Sequence, residues 1–121
     1  MPPSDRDRRV VEHLATKVMG WTPWSGDQFR YVTKDTYGTY RLGTIDLDSW
    51  ADAGMVWERA REMGIQLDLI GADKWFGRIW NGPNSVQYLG DSGPRAICEA
   101  IYRATGGTEE CTQVSDKEEG R

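Results

Sequence analysis

Residues 65–90 read IQLDLIGADKWFGRIWNGPNSVQYLG. This stretch predicts three short β-strands, over residues 65–70, 74–80 and 85–89. The turns between them, residues 71–73 and 81–84, are rich in residues that tolerate tight backbone geometry. Because connections this short leave no room for crossovers, we expect a largely antiparallel sheet.

Three helical patterns flank this stretch, over residues 5–19, after residue 48, and from about residue 93. The predicted caps are Ser4 with Asp7 for the first helix, Asp46 or Asp48 for the second, and Asp91 or Ser92 for the third. The glycines that end them are Gly20, Gly64 and Gly106. The apolar stripe of the second helix comprises Trp50, Ala53, Trp57 and Ala60, with Val56 and Met63 beside it.

A hairpin is predicted before the second helix. Residues 29–33 and 39–42 have β composition, and residues 34–38 form the turn between them. The order is thus helix, hairpin, helix, three strands, helix. It predicts an α/β (α+β) fold, a layered α-β-α sandwich with a mostly antiparallel sheet, because helices must cover the apolar sheet surface.

Charge divides the 121-residue chain into a body and a tail. Residues 107–121 hold five acidic and two basic side chains, a net charge of −3 within a total of −4. We therefore predict one domain over residues 1–106 and a disordered acidic tail. A near-neutral body argues against direct nucleic-acid binding. No segment resembles a membrane span or a signal peptide, so an intracellular protein is expected.

Few residues offer catalytic chemistry. Residues 90–94 (GDSGP) look like the surroundings of a serine-protease nucleophile, but the only histidine, His13, lies on the polar face of the first helix. We interpret Ser92 as a helix cap. Asp46, Asp48 and Asp52 have no histidine or cysteine partner that indicates metal binding or acid/base catalysis. We expect no metal, no cofactor and no enzymatic activity.

Six tryptophans are the most informative residues. Helical spacing predicts that Trp50 and Trp57 belong to the core, and Trp21 is expected to fold back on the first helix. Trp75 and Trp80 have opposite parity on one strand, so they point to opposite sheet faces. Trp24, in a loop, is the least constrained of the six.

Aromatic residues mixed with cations suggest a ligand site, because such a mixture can stack a base and hold phosphates. The same mixture is also common on an ordinary hairpin. The candidate ligand-binding residues are Trp24, Arg30, Tyr31, Tyr37, Tyr40 and Arg41, with Arg78 and Trp80 on the second group of strands.

Two segments carry a resemblance to a known family. KVMGW (residues 17–21) closes the first helix and GPRAICEA (residues 93–100) opens the last. Together with the tryptophan-rich segments between them, they resemble the phage ABA sandwich domain over about residues 8–105. The resemblance implies an α-β-α layered fold, a phage accessory role and a place in the host cytoplasm. It implies no established activity.

A phage protein without a catalytic constellation is expected to act by binding. The first hypothesis is a protein that counteracts host antiviral defence by sequestering a nucleotide-type signalling molecule. The second is an inhibitor or adaptor that binds a host defence protein such as a nuclease. The third is a small hydrolase that uses Asp46 or Asp48. A homo-oligomer is compatible with the first hypothesis, because ligand sponges often place their sites at subunit interfaces.

Overall fold

A computed structural model of the chain describes residues 4–24, 30–34 and 37–107. Its elements, in order, are α1 (Asp5–His13), β1 (Thr22–Pro23), β2 (Tyr31–Lys34), β3 (Tyr40–Gly43), α2 (Trp50–Glu62), β4 (Gln66–Gly71), β5 (Trp75–Asn81), β6 (Asn84–Gly90) and α3 (Gly93–Ala104). The predicted α+β class, the antiparallel strands and the order of elements are confirmed. The predicted tail from residue 108 onward, strand residue 29 and turn residues 35–36 lie outside the described residues.

The strands form two antiparallel sheets of three strands each. In the second sheet, β5 lies between β4 and β6, and Gly77 is paired with Leu69 on one side and Tyr88 on the other. In the first sheet, β2 and β3 form the predicted hairpin. A further strand, the two-residue β1, pairs with β2. Strand β1 was not predicted, because two residues carry no periodic signal.

Helix α3 packs directly against the second sheet. A Cβ atom on Gly77 would lie 2.5 Å from the carbonyl oxygen of Ala96, and one on Gly90 would clash with the Ala96 backbone. Backbone therefore touches backbone at these two glycines. Ile97 and Ile101, almost fully buried, complete the contact. The core is centred on this helix, since α2 and α1 also pack against it.

The first helix does not keep one geometry. After His13 it continues as a π-helical segment, Leu14–Val18. The wider turn is closed by a hydrogen bond from the Met19 amide to the Leu14 carbonyl at 2.9 Å. The segment is largely buried, and the Val18 carbonyl accepts a hydrogen bond from Arg59 Nε of α2 at 3.1 Å. The π-helical segment thus places a carbonyl where α2 can bind it.

Serine residues cap all three helices. Ser4 and Ser92 accept hydrogen bonds from the Asp7 and Arg95 amides, as predicted. For α2 the prediction was wrong: Ser49, not Asp46 or Asp48, is the cap, and its hydroxyl accepts from the Asp52 amide at 3.1 Å. The two aspartates lie in the preceding loop, which leaves their carboxylates available for other contacts.

The core position predicted for Trp50 is also wrong, since its side chain is 57% exposed. The buried stripe of α2 consists of Ala53, Val56 and Ala60, whose small size lets α2 approach α3 closely. Trp50 lies at the edge of that stripe and covers Gly93, with its ring edge-on to Trp75 at 5.8 Å. Trp57 and Trp21, both half-buried, pack against the core as predicted.

The second sheet has one helix-covered face and one open face. Because Gly77 faces α3, alternation places Phe76, Arg78 and Trp80 on the opposite face. Trp75 and Trp80 therefore point to opposite faces, as predicted. Within the described residues, no helix is long and apolar enough to cross a lipid bilayer.

Candidate ligand-binding groove

A groove with a volume of about 1050 Å³ runs between helix α2 and the edge strand β4. Its lining residues are Gly54, Trp57, Glu58, Arg61, Gly64, Ile65, Gln66, Leu67, Asp68 and Trp80. This volume lies just above the range typical of small-molecule sites, about 300–1,000 Å³. We refer to it as the α2–β4 groove.

The turn between α2 and β4 shapes the groove. Gly64 adopts φ of +89°, a left-handed conformation that favours glycine, and so ends α2 sharply. The chain then runs into β4, so that helix and strand diverge from this turn. Gly54 lies in one wall of the groove, and a Cβ atom there would meet nothing within 4 Å. The helix backbone is therefore accessible at this position.

Trp80 is held in a fixed orientation on the strand side. Its indole Nε1 donates a hydrogen bond to Asp68 Oδ2 at 2.7 Å, and Arg78 Nη2 donates to the same oxygen at 3.0 Å. The Arg78 guanidinium also lies 4.7 Å from the centre of the Trp80 ring. The hydrogen bonds from Trp80 and Arg78 lower the pKa of Asp68. The carboxylate is therefore charged at neutral pH and keeps both donors in place.

The helix side supplies a second aromatic ring and two charges. Trp57 is half-buried and Arg61, one helical turn further on, is exposed. No ion pair or hydrogen bond involves the Arg61 or Glu58 side chain within the part of the chain that the structure describes. Arg61 thus offers a guanidinium to an anionic ligand, and Glu58 offers a hydrogen-bond acceptor.

Trp57 and Arg61 were absent from the predicted ligand set. The signal was nevertheless present, because Gly54, Trp57, Glu58 and Arg61 recur at helical spacing and so share one side of α2. Trp57 was predicted to belong to the core alone. Half-buried Trp57 contributes to the core and to the groove, because one part of its ring packs inward while another part lines the groove.

The structure separates the predicted ligand residues between the two sheets. Trp80 lines the α2–β4 groove and Arg78 packs on its ring, whereas the other six belong to the first sheet and its loops. Among these, Tyr31 is only 3% exposed and packs in the core, so its ring is unavailable to a ligand. Burial also raises the pKa of Tyr31.

The remaining predicted residues of the first sheet lie at the surface. They are Trp24, Arg30, Tyr37, Tyr40 and Arg41. Register places Tyr40 on the face opposite to Tyr31, because Tyr40 is paired with Lys34 and Tyr31 with Gly43. The Lys34 ammonium lies 5.7 Å from the Tyr40 ring centre.

The groups that suggested catalysis have structural roles in the described chain. Asp46 accepts a hydrogen bond from the Asp48 amide, and Asp52 accepts one from the Asp46 amide. Asp48 binds Arg95, whose hydrogen bonds lower the pKa of that carboxyl. Burial raises the pKa of the Cys98 thiol to about 12, so it is protonated at neutral pH. Within the described residues, no three potential metal ligands cluster.

Comparisons with known proteins establish the fold alone. No family model matches the chain, and no curated protein matches its sequence. Among solved structures, the chain is similar to a phage protein from Bacillus cereus ATCC 14579, with a TM-score of 0.59 and 17% sequence identity. The match covers 84% of this chain and 93% of that one. The two proteins therefore share a fold along most of their lengths.

Proposed function

We propose that this protein is a phage-encoded, non-enzymatic binding protein that takes a nucleotide-type small molecule in the α2–β4 groove. The observation that carries the proposal is the arrangement of Trp80, Trp57 and Arg61 around one open volume. A fold shared with a phage protein supports the phage origin. The sequence resemblance to the phage ABA sandwich domain supports it as well.

Each wall of the groove suits one part of a nucleotide. A base stacks on the Trp80 ring, whose orientation is already set by Asp68 and Arg78, so that little side-chain entropy is lost on binding. Arg61 has no competing partner in the described chain and pairs with a phosphate. Glu58 accepts hydrogen bonds from sugar hydroxyl or base amino groups.

Such binding would serve a phage by removing a nucleotide signal of host antiviral defence. Sequestration needs tight binding without turnover. The groove supplies aromatic rings and the Arg61 guanidinium, which no side chain of the described residues neutralises. Both features suit tight binding without turnover. This role would be carried out in the host cytoplasm.

The test is calorimetric titration of the purified protein with a panel of cyclic dinucleotides and ADP-ribose derivatives. We expect at least one member to bind, and Trp80→Ala to weaken its binding by about 10- to 100-fold through loss of base stacking. The matched control is Trp24→Ala, which removes an exposed tryptophan of the first sheet region. Binding by Trp24→Ala should equal that of the wild type.

Two results would contradict the proposal. One is a flat response across the whole panel, together with no nucleotide recovered by mass spectrometry from the protein as purified. The other is an equal loss of binding in Trp24→Ala and Trp80→Ala, which would place the ligand outside the α2–β4 groove.

A second function, inhibition or recruitment of a host defence protein, is favoured by a different observation. Ile70, Phe76 and Leu89 are neighbours across the open face of the second sheet and form an apolar row there. Apolar rows on open faces are typical of protein-binding surfaces. Phe76→Asp should then abolish capture of one specific host protein, while Trp80→Ala leaves that capture unchanged.

A further inference from the structure

Strand β6 is an unprotected sheet edge. It contacts β5 and α3 and forms the outer strand of the second sheet. Its seven residues, Asn84–Gly90, carry no charge and no proline. Val86 is 53% exposed and Leu89 is 52% exposed. An edge strand of this length without lysine, proline or a bulge is prone to pair with another strand.

The opposite edge of the same sheet is different. Strand β4 carries the charged Asp68. Charge on an edge strand is one of the means by which proteins prevent edge pairing. The contrast identifies β6 as the edge that is left open to a partner.

A second groove, of about 630 Å³, runs beside β6 on its helix-covered side. Apart from Asp91, the charged groups along it are already paired. Arg6 binds both oxygens of Glu99, at 2.7 and 2.6 Å, and Arg95 binds Asp7 at 3.1 Å. A charged incoming strand would compete with these ion pairs, whereas an uncharged one would not. These ion pairs therefore favour an uncharged incoming strand, and β6 of a second copy is such a strand.

We propose that two copies of this chain pair through β6 in antiparallel orientation to form a continuous six-stranded sheet. A two-fold axis through the middle of the seven-residue strand places Gln87 opposite the same residue of the second copy. Val86 then lies opposite Tyr88 of the second copy, an aromatic and β-branched pair of the kind that stabilises antiparallel sheets. Leu89 lies opposite Ser85.

The two-fold symmetry of this pairing limits the assembly to two copies. Each copy uses the open edge of its second sheet, so the assembly stops at a dimer. The α2–β4 grooves lie at the two outer edges of the joined sheet, away from the interface. The dimer therefore does not depend on the proposed ligand, and either proposal can fail without the other.

The experiment measures mass in solution by sedimentation equilibrium over a concentration series. The wild type should give twice the chain mass of 13.7 kDa. Gln87→Lys sets two like charges opposite each other and should raise the dimer dissociation constant by about tenfold or more. The matched control is Gln66→Lys, the same change on the exposed part of β4, which should leave the dimer intact.

A charge-swap pair keeps the test independent of folding defects. Gln87→Glu alone should also dissociate, and an equimolar mixture of Gln87→Glu with Gln87→Lys should restore the dimer by pairing opposite charges. Amide hydrogen exchange should show the outward-pointing amides of β6 protected in the wild type and exposed in either single variant, whereas the amides bonded to β5 stay protected in both. Circular dichroism checks that each variant is folded.

Three results would overturn the proposal. They are a wild type that stays monomeric over the whole concentration series, a dimer that both Gln87 variants leave unchanged, and a mixture of the two variants that stays monomeric. Loss of the dimer in Gln66→Lys instead would place the interface on β4.

Discussion

Arg95 joins three parts of the chain with one side chain. From the first turn of α3 it binds Asp48 before α2, at 2.7 Å, and Asp7 of α1, at 3.1 Å. The hydrogen bonds that it donates to Asp48 and Asp7 raise the pKa of Arg95, so its charge is permanent at any relevant pH. A planar guanidinium suits this double contact because its donors point in fixed, separate directions.

Replacing Arg95 should destabilise the protein. For Arg95→Ala we expect a loss of about 1 to 2 kcal/mol in the free energy of unfolding, a modest value because solvent screens these partly exposed pairs. Arg95→Lys should lose a smaller amount, since an ammonium keeps the charge but satisfies fewer of the carboxylate oxygens. Urea titration measures both. Arg9→Ala, at an exposed arginine of α1, is the control and should change stability by less than about 0.5 kcal/mol.

His13 links stability to pH. Its Nε2 is 2.7 Å from the Thr105 hydroxyl, and its ring is edge-on to Tyr102 at 4.9 Å. Burial lowers the pKa of His13, assisted by the charge of Lys17 and opposed by a hydrogen bond with Thr105. The folded protein therefore prefers the neutral ring, while the unfolded chain accepts a proton more readily.

The unfolded state binds more protons, so stability should fall as the pH drops from about 7 to about 5. The contribution of His13 is complete above its unfolded pKa of 6.5 and is lost as the pH falls through the lower, folded value. Melting curves at several pH values measure this decline. In His13→Gln the decline over the same window should be smaller, because His13 is the only histidine. An unchanged slope would contradict the role given to His13.

Between elements, the contact of α3 with β5 depends on the absence of a side chain. Gly77→Ala would place a methyl group 2.5 Å from the Ala96 carbonyl oxygen and 2.7 Å from the Ala100 Cβ. Because backbone atoms form the obstacle, α3 must move away from the sheet. Such overpacking should lower the free energy of unfolding by about 2 to 3 kcal/mol.

Gly54→Ala is the matched control for that change. Gly54 lies within α2, and a Cβ there meets nothing within 4 Å. Because alanine favours helix more than glycine, we expect a gain of about 0.5 to 1 kcal/mol. Thermal melts of both variants measure these changes in stability. If both substitutions changed stability in the same direction, packing against α3 would not explain the effect of Gly77→Ala.

For the protein taken as one unit, ligand binding and stability are coupled. A nucleotide that binds the folded protein alone should raise its free energy of unfolding by about 2.7 kcal/mol at a ligand concentration 100 times the dissociation constant. Differential scanning fluorimetry measures the shift in melting temperature. Trp80→Ala should show a much smaller shift at the same nucleotide concentration, and an equal shift in this variant would place the site elsewhere.

Local sequence was enough to specify the helices, the strands and most of their ends, because caps, glycines and hydrophobic periodicity act over a few residues. The neighbouring residues alone correctly predict Ser92 as a helix cap and Gly64 as the end of α2. The cap of α2 was misread because Asp46, Asp48 and Ser49 are all good cap residues, and only the backbone geometry chooses among them.

Tertiary contacts account for what local sequence left open. They set the exposure of Trp50, the burial of Tyr31 and the placement of Trp57 and Trp80 along one groove. Each of these depends on residues far apart in the sequence, so no local pattern could specify it. The α2–β4 groove likewise arises only when α2 and β4 are brought side by side.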